Sequence, residues 1–245
     1  MTHGSLFAGI GGFDLGFERA GIKTVWQVEI DPFCRSILER HFPTVRRFPD
    51  VRTCGAENLE RVDIIAGGFP CHDISRAGKR EGITGEQSRL WIEYRRIIAE
   101  LAPAWAVIEN VGALTHRGLS VVLTDLHEIG YDAEWQIIPA WFVGSPQVRE
   151  RTFIVAYPCQ PGEAGWRSER IGWWSGGEGE ARQNGWSLDA EIDDKLWREP
   201  RVDRVAYGIP AQVDRINKLG NAIVPQIAEW IGRRIIEAEK ERISK

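Results

Sequence analysis

The amino-acid sequence predicts an α/β fold with a doubly wound, mostly parallel sheet, and three observations carry that prediction. Over the first two-thirds of the chain, short apolar runs alternate with stretches of helical apolar spacing, a repetition that buries a parallel sheet between two layers of helices. The first apolar run opens into a glycine turn, Gly9-Ile10-Gly11-Gly12. The 245 residues are 43% hydrophobic, enough for one sizeable core that folds without staples.

Each element follows in order. Residues 4–8 read as a strand, and 12–21 carry apolar side chains at helical spacing up to Gly21, a helix stop. Residues 23–30 form a second strand. The next helix, 31–42, opens with Asp31 as N-cap and Pro32 at the first helical position. Strand 62–68, helix 88–101, strand 104–111 and helix 119–130 continue the pattern, and 133–142 and 151–158 look like later strands. Ligands of such a Rossmann-like fold gather at the carboxyl ends of the strands.

The character changes near residue 159. Residues 159–200 are rich in glycine, tryptophan and charge with no sustained periodicity, which suggests a small irregular subdomain, since disordered segments are poor in aromatics. Its tryptophans, Trp173, Trp174 and Trp186 among them, either form a small core or present flat surface to a ligand. The tail, 201–245, ends in a helical pattern from Val224-Pro225. The expected organisation is therefore an α/β domain over 1–158, an insertion over 159–200 and a returning segment over 201–245.

Composition limits the function. Net charge is −4, which argues against a general polyanion binder while allowing a focused basic cleft from local arginine clusters. Cys34, Cys54, Cys71 and Cys159 lie far apart, with no C-x-x-C pair and no histidine at zinc-finger spacing; reduced thiols in a cytoplasmic protein without a bound metal are expected. Neither a secretory leader nor an apolar stretch long enough to span a membrane is evident.

The strand ends nominate a cofactor site. Beyond the glycine turn stand Glu29, at the distance expected for a ribose-binding acid, and then Asp50-Val51; Glu29 and Asp50 could equally be helix N-caps. A third glycine is expected at position 14 for a dinucleotide, and that residue is Asp14. A carboxylate inside an anion nest works against a pyrophosphate, so a cofactor with no phosphate and a cationic centre, S-adenosyl-L-methionine, is preferred over NAD.

Cys71 follows the strand 62–68 in Gly67-Gly68-Phe69-Pro70-Cys71, where glycines let the backbone bend and Pro70 fixes the approach. A buried inert thiol and a nucleophile are both open from this stretch alone. The neighbouring strand ends in Glu109-Asn110, and a thiolate facing a carboxyl suits a substrate attacked at one ring carbon and protonated at a nearby nitrogen.

Taken together the motifs resemble the C5-cytosine DNA methyltransferases. Phe7-Ala8-Gly9-Ile10-Gly11-Gly12 is similar to that family's first motif, Gly68-Phe69-Pro70-Cys71 to its nucleophile loop, and Glu109-Asn110-Val111 to its acid. Gln147-x-Arg149-x-Arg151 is similar to its arginine pair and Gly220-Asn221-Ala222-Ile223-Val224-Pro225 to its last motif, all in the family's order.

The resemblance implies a class I methyltransferase fold and transfer of a methyl group to C5 of a cytosine flipped out of duplex DNA. It implies Cys71 as the nucleophile at C6, Glu109 as the acid at N3, Asn110 as the brace of the Cys71 loop, and Arg149 and Arg151 against the flipped nucleotide. For S-adenosylmethionine it implies Phe7 and the 8–12 turn at the methionine side, Glu29 at the ribose, Asp50 and Val51 at the adenine, with Ile30, Pro70, Leu90, Asn221 and Ile223 completing the pocket. Ser75, Gln147, Arg198, Arg201 and Arg204 are its expected DNA contacts, and 159–200 its target-recognition region. The chain departs from the family at His72, where glutamine is usual, and at Ile30, where an aromatic often stacks on adenine.

A prokaryotic or phage origin, a cytoplasmic monomer and a cognate restriction endonuclease encoded elsewhere complete the expectation. Methylation of cytosine in transfer RNA, or a catalytically silent DNA-binding relative, are the alternatives.

Overall fold

The apolar run Ile64-Ile65-Ala66 forms the middle of the sheet. In the computed structural model, which describes residues 1–70, 90–144, 149–159 and 222–244, strand β4 (Ile64–Gly68) lies between β1 (Thr2–Leu6) and β5 (Trp105–Val111), parallel to both. Outside β1 come β2 (Lys23–Val28) and the short β3 (Arg46–Phe48), also parallel. Beyond β5 comes β7 (Glu150–Pro158), antiparallel to it, and then β6 (Tyr131–Pro139) at the edge, antiparallel to β7. The order of the seven strands is β3-β2-β1-β4-β5-β7-β6; only β7 runs against the rest.

Alternation along the central strands separates two cores. Ile65, Ala106, Ile108, Ile154 and Ala156 point to one face and pack with Trp91, Tyr94 and Ile98 of α3 (Leu90–Leu101) and Val122 and Leu126 of α5 (Leu119–Glu128). Ile64, Ala66, Trp105, Val107, Phe153 and Val155 point to the other and pack with Phe13 and Phe17 of α1 (Gly12–Arg19) and with Ile227, Ile231 and Ile235 of the C-terminal helix α6 (Pro225–Ser244). The tail thus returns as a helix lying along α1.

The expected termini are largely met. Asp31 caps α2 (Pro32–His41), its carboxylate accepting from the Cys34 N–H at 2.9 Å, with Pro32 as the first helical residue. Gly21 lies just past α1 in the left-handed region at φ 86°. Three readings change. β3 and the one-turn helix α4 (Leu114–Arg117) were not expected. The late strand begins at Tyr131 and not 133, because Tyr131 pairs with Pro158, and it ends at Pro139, where a 3₁₀ turn over Ala140–Val143 begins. Gly67 and Gly68 do not bend the chain; both lie in β4, paired with Ile108 and Glu109.

Sheet order reverses between β1 and β4, the place where such folds bind ligands at the strands' carboxyl ends. None of the described helices is long and apolar enough to cross a membrane.

Candidate functional site

The glycine turn leaves β1 at that reversal. Its backbone is forced into left-handed conformations at Phe7 (φ 53°), Gly9 (φ 57°) and Gly11 (φ 89°), an arrangement costly at Phe7 and free at the glycines. The turn's amides are used internally: Ala8 N–H donates to the Val28 carbonyl, Gly9 N–H to Glu29 Oε2 at 2.7 Å and Gly11 N–H to the Ala8 carbonyl. A pyrophosphate needs just such amides free. Above Gly9 there is open space, since a Cβ placed there would meet nothing within 4 Å.

Glu29 follows β2 and is held at both oxygens, Oε1 accepting from Asp31 N–H at 2.8 Å. Its remaining lone pairs, in a half-buried position, fit the two hydroxyls of a ribose. Ile30 beside it is 65% exposed, an apolar platform at the rim where a flat base can lie. The residues present therefore fit S-adenosylmethionine: an open cradle above Gly9, a carboxylate and an apolar ledge.

Asp14 does not place a carboxylate inside the nest, contrary to expectation. Its side chain is fully buried and does not face the nest; it accepts from Ser5 Oγ at 3.1 Å and Gln27 Nε2 at 2.9 Å beneath the turn. Burial pushes its pKa up to about 6, against those two hydrogen bonds. The Ala8, Gly9 and Gly11 amides are bonded within the protein, which leaves fewer donors for a pyrophosphate.

Other expected cofactor residues are placed as follows. Asp50 caps the 3₁₀ turn Val51–Thr53 and forms a two-oxygen pair with Arg52, whose hydrogen bonds hold its carboxyl below the usual range. Val51 is buried in the core. Phe7 tilts against Tyr94, ring centres 6.1 Å apart, with Leu90 packed on the same core. Ile223 lies against the start of α1: a Cβ on Gly12 would collide with its carbonyl and Cβ, so this part of the last motif sits beside the glycine turn. Of the four cysteines, Cys34 and Cys54 are buried, and burial raises the Cys54 thiol to about 11.

The acid sits one strand across. Glu109 on β5 is 7% exposed, paired in register with Gly68, and its carboxylate occupies the space a Cβ at Gly68 would need. Burial raises its pKa, opposed by the charges of Arg151 and Arg149. Arg151 Nε approaches Glu109 Oε1 at 3.0 Å; because Arg151 is opposite Val111 in the antiparallel register, the pair is diagonal across the ladder. Arg149 donates to the Ala222 carbonyl, binding the start of the C-terminal return to the β7 approach. Asn110 donates to the Phe69 carbonyl at 3.1 Å, tying β5 to the chain just before Pro70.

The described residues thus set the glycine turn and Glu29 at the ends of β1 and β2, and the buried Glu109 carboxyl on β5 against Gly68 at the end of β4. Cys71, His72, Ser75, Gln147, Arg198, Arg201, Arg204 and Asn221 lie outside the described residues, as do the insertion's tryptophans. The part sequence reasoning missed is the support: Ser5 and Gln27 under the turn, and Gly68 as the seat of the Glu109 carboxylate.

Comparisons agree with the geometry. The family model described as C-5 cytosine-specific DNA methylase matches residues 1–163. The chain is 34% identical over 160 residues to the Type II methyltransferase M2.BsuMI of Bacillus subtilis (strain 168), covering 62% of this chain and 41% of that one. It is 36% identical over 157 residues to the Type II methyltransferase M.FnuDI of Fusobacterium nucleatum, covering 62% and 46%. The matched part of the chain thus spans less than half the length of either relative.

Among solved structures, a prophage-encoded E. coli protein described as a DNA modification methyltransferase superposes with a TM-score of 0.56 at 26% identity, covering 64% of this chain and 47% of that one. The S. pombe Dnmt2 methyltransferase does so with a TM-score of 0.55 at 19% identity, covering 70% and 59%, a likeness of fold.

Proposed function

As the chain belongs to the C-5 cytosine-specific DNA methylase family, we propose that it is a DNA (cytosine-5-)-methyltransferase acting on a cytosine flipped out of duplex DNA. The observation that carries the proposal is the Glu109 carboxyl, buried, backed by Arg151 and seated on Gly68, the glycine three residues before Cys71. Burial raises the Glu109 pKa against the pull of Arg151 and Arg149, which makes the carboxyl easier to protonate than an exposed one and suits it to a general-acid role.

In this reading the Cys71 thiolate adds to C6 of the cytosine while Glu109 gives a proton to N3, leaving C5 electron-rich. S-adenosylmethionine supplies the electrophilic methyl group. Loss of the C5 proton then expels Cys71 and restores the aromatic ring. Glu29 holds the ribose hydroxyls, Ile30 and Asp50-Val51 the adenine side, and Phe7 with residues 8–12 the methionine side, with Pro70, Leu90, Asn221 and Ile223 closing the pocket. Asn110 fixes the backbone at Phe69 ahead of Cys71. Arg149 sets the C-terminal return, and Arg151 keeps the charge of Glu109 compensated.

The same reading assigns residues 159–200 to target recognition, with Ser75, Gln147, Arg198, Arg201 and Arg204 on the DNA and 201–245 closing on the 1–158 domain. It places the protein in the cytoplasm as a monomer, with a cognate endonuclease encoded elsewhere as its counterpart; the Type II names of the relatives support that pairing.

Transfer of tritiated methyl groups to duplex DNA and to RNA tests the assignment. Label in DNA supports it, and label confined to RNA overturns it. DNA containing 5-fluorocytosine is expected to trap the wild type covalently and to release Cys71→Ser; a mutant that still traps removes Cys71 from the role.

A further inference from the structure

At the end of the sheet opposite Glu109 and the glycine turn, three side chains of metal-ligating type converge from three elements. His127 lies in the last turn of α5, Asp132 is the second residue of β6, and Cys159 follows β7. Their imidazole nitrogen, carboxylate oxygen and sulfur all lie within 4.8 Å of one another. Nothing in their sequence spacing announces this. The register that sets Tyr131 opposite Pro158 and Asp132 opposite Tyr157 puts Cys159 across from Gly130, so that its side chain is diagonal to that of Asp132.

The backbone beneath the three is pinned. Gly130 adopts φ 85°, its N–H donates to the His127 carbonyl at 2.9 Å, and its own carbonyl accepts from Cys159 N–H at 2.8 Å. One left-handed glycine thus fixes the α5–β6 turn to the chain leaving β7. Side-chain rotation by about 1 Å is all that closure requires, because ligands bonded to a tetrahedral zinc at roughly 2.0–2.3 Å stand roughly 3.3–3.8 Å apart. His127 is exposed, and Asp132 and Cys159 are half-buried, so the imidazole can swing while the other two are presented by paired strands.

We propose that His127, Asp132 and Cys159 form a binding site for a borderline-soft divalent metal, of the zinc class. The mixed nitrogen, oxygen and sulfur donor set decides the class, since magnesium and calcium take oxygen ligands whereas thiolate with imidazole selects zinc and its neighbours. On binding, the Cys159 thiol releases its proton to solvent as the sulfur–metal bond forms, and three protein ligands leave the fourth position to a water.

In the ion's absence burial and the Asp132 carboxylate raise the Cys159 pKa, and a divalent charge between them inverts that electrostatic balance. The site is remote from the proposed chemistry. Along β7, Cys159 is eight residues beyond Arg151, roughly 27 Å at ~3.4 Å per residue. Its consequence is structural: it staples the α5–β6 turn to the point from which the chain departs for residues 160–221.

The test uses the full-length protein, freed of metal by a chelator, kept reduced with a phosphine and titrated with cobalt(II). One equivalent is expected to produce thiolate-to-cobalt charge-transfer absorption, which zinc(II) then abolishes by displacement. Cys159→Ser is expected to lose that absorption while retaining the wild-type circular dichroism, and His127→Ala, a change at an exposed position, to weaken zinc binding by roughly tenfold or more. Absence of the absorption in the wild type overturns the proposal. So does an absorption that Cys159→Ser leaves intact, because the thiol would then belong to another cysteine.

Discussion

Arg151 Nε stands 3.0 Å from Glu109 Oε1, so the buried acid on β5 is compensated by a cation from the antiparallel strand beside it. Burial raises the Glu109 pKa and Arg151 opposes that rise. Removing the guanidinium in Arg151→Gln leaves a buried carboxyl with less reason to ionise, and its pKa moves higher still. If the protonated form is the acid, activity falls as pH rises through that pKa, and the fall moves to higher pH in the variant. The pH profile of kcat for methyl transfer reads this directly, and a profile that shifts downward instead contradicts the role.

Gly68 seats the Glu109 carboxylate, since a Cβ there would occupy the position of Oε2. Gly68→Ala is expected to displace the acid and to reduce the methyl-transfer rate by roughly 10²-fold, the scale of a general-acid contribution. The cofactor cradle lies on other strands, so calorimetry with S-adenosylhomocysteine should return wild-type affinity. A joint loss of rate and affinity would mean that the substitution disturbs β4 as a whole.

Glu29 accepts from the Gly9 and Asp31 amides at 2.7 and 2.8 Å, and with its remaining lone pairs it is placed to take the ribose. Glu29→Gln turns one accepting oxygen into a donor facing an N–H. The side-chain amide is forced to turn away from one of those N–H groups and no longer presents two carboxylate oxygens to the ribose. The expected result is a loss of affinity for S-adenosylhomocysteine of roughly 10- to 100-fold, the scale of a lost hydrogen bond to a charged group. KM for DNA is expected to stay unchanged, and an equal rise in both constants would move Glu29 out of the cofactor site.

How much of this was legible in the sequence depends on how local the cause is. Asp31 and Pro32 start α2 and Gly21 follows α1 because capping is decided within a few residues. Arg46-Arg47-Phe48 has no apolar pattern, and it is a strand because β2 offers an open edge. Asp14 was visible as a carboxylate in a glycine turn, but its direction is set by Ser5 and Gln27 on two different strands. Glu109 and Arg151 were both nominated, yet their contact exists because β7 reverses beside β5, a pairing no local window contains.

His3 and Asp14, both fully buried, predict opposing effects of pH on stability. Burial lowers the His3 pKa from 6.5 to about 3. The unfolded chain therefore takes a proton below pH 6.5 that the fold refuses, and stability present above 6.5 is lost as pH falls toward 3. The Asp14 pKa is raised from 3.8 to about 6. Between those values the fold keeps a proton the unfolded chain has released, so stability present below 3.8 is lost as pH rises to 6. From about pH 4 to 6 the two nearly cancel.

Substitution uncovers each in turn. In His3→Gln the Asp14 effect remains and stability relative to wild type should fall by roughly 1.4 kcal/mol per pH unit as pH rises through that window. In Asp14→Asn the His3 effect remains and relative stability should climb with the same slope. The amide introduced by that substitution can be accommodated because Gln27 Oε1, buried with no partner among the described residues, can turn to accept its N–H. Glu109 titrates in all three proteins and drops out of the comparison. Urea unfolding at about pH 4.5 and 5.5, inside that window, on wild type and both variants measures the slopes, and parallel pH dependence in all three would show that neither buried group titrates as its surroundings dictate.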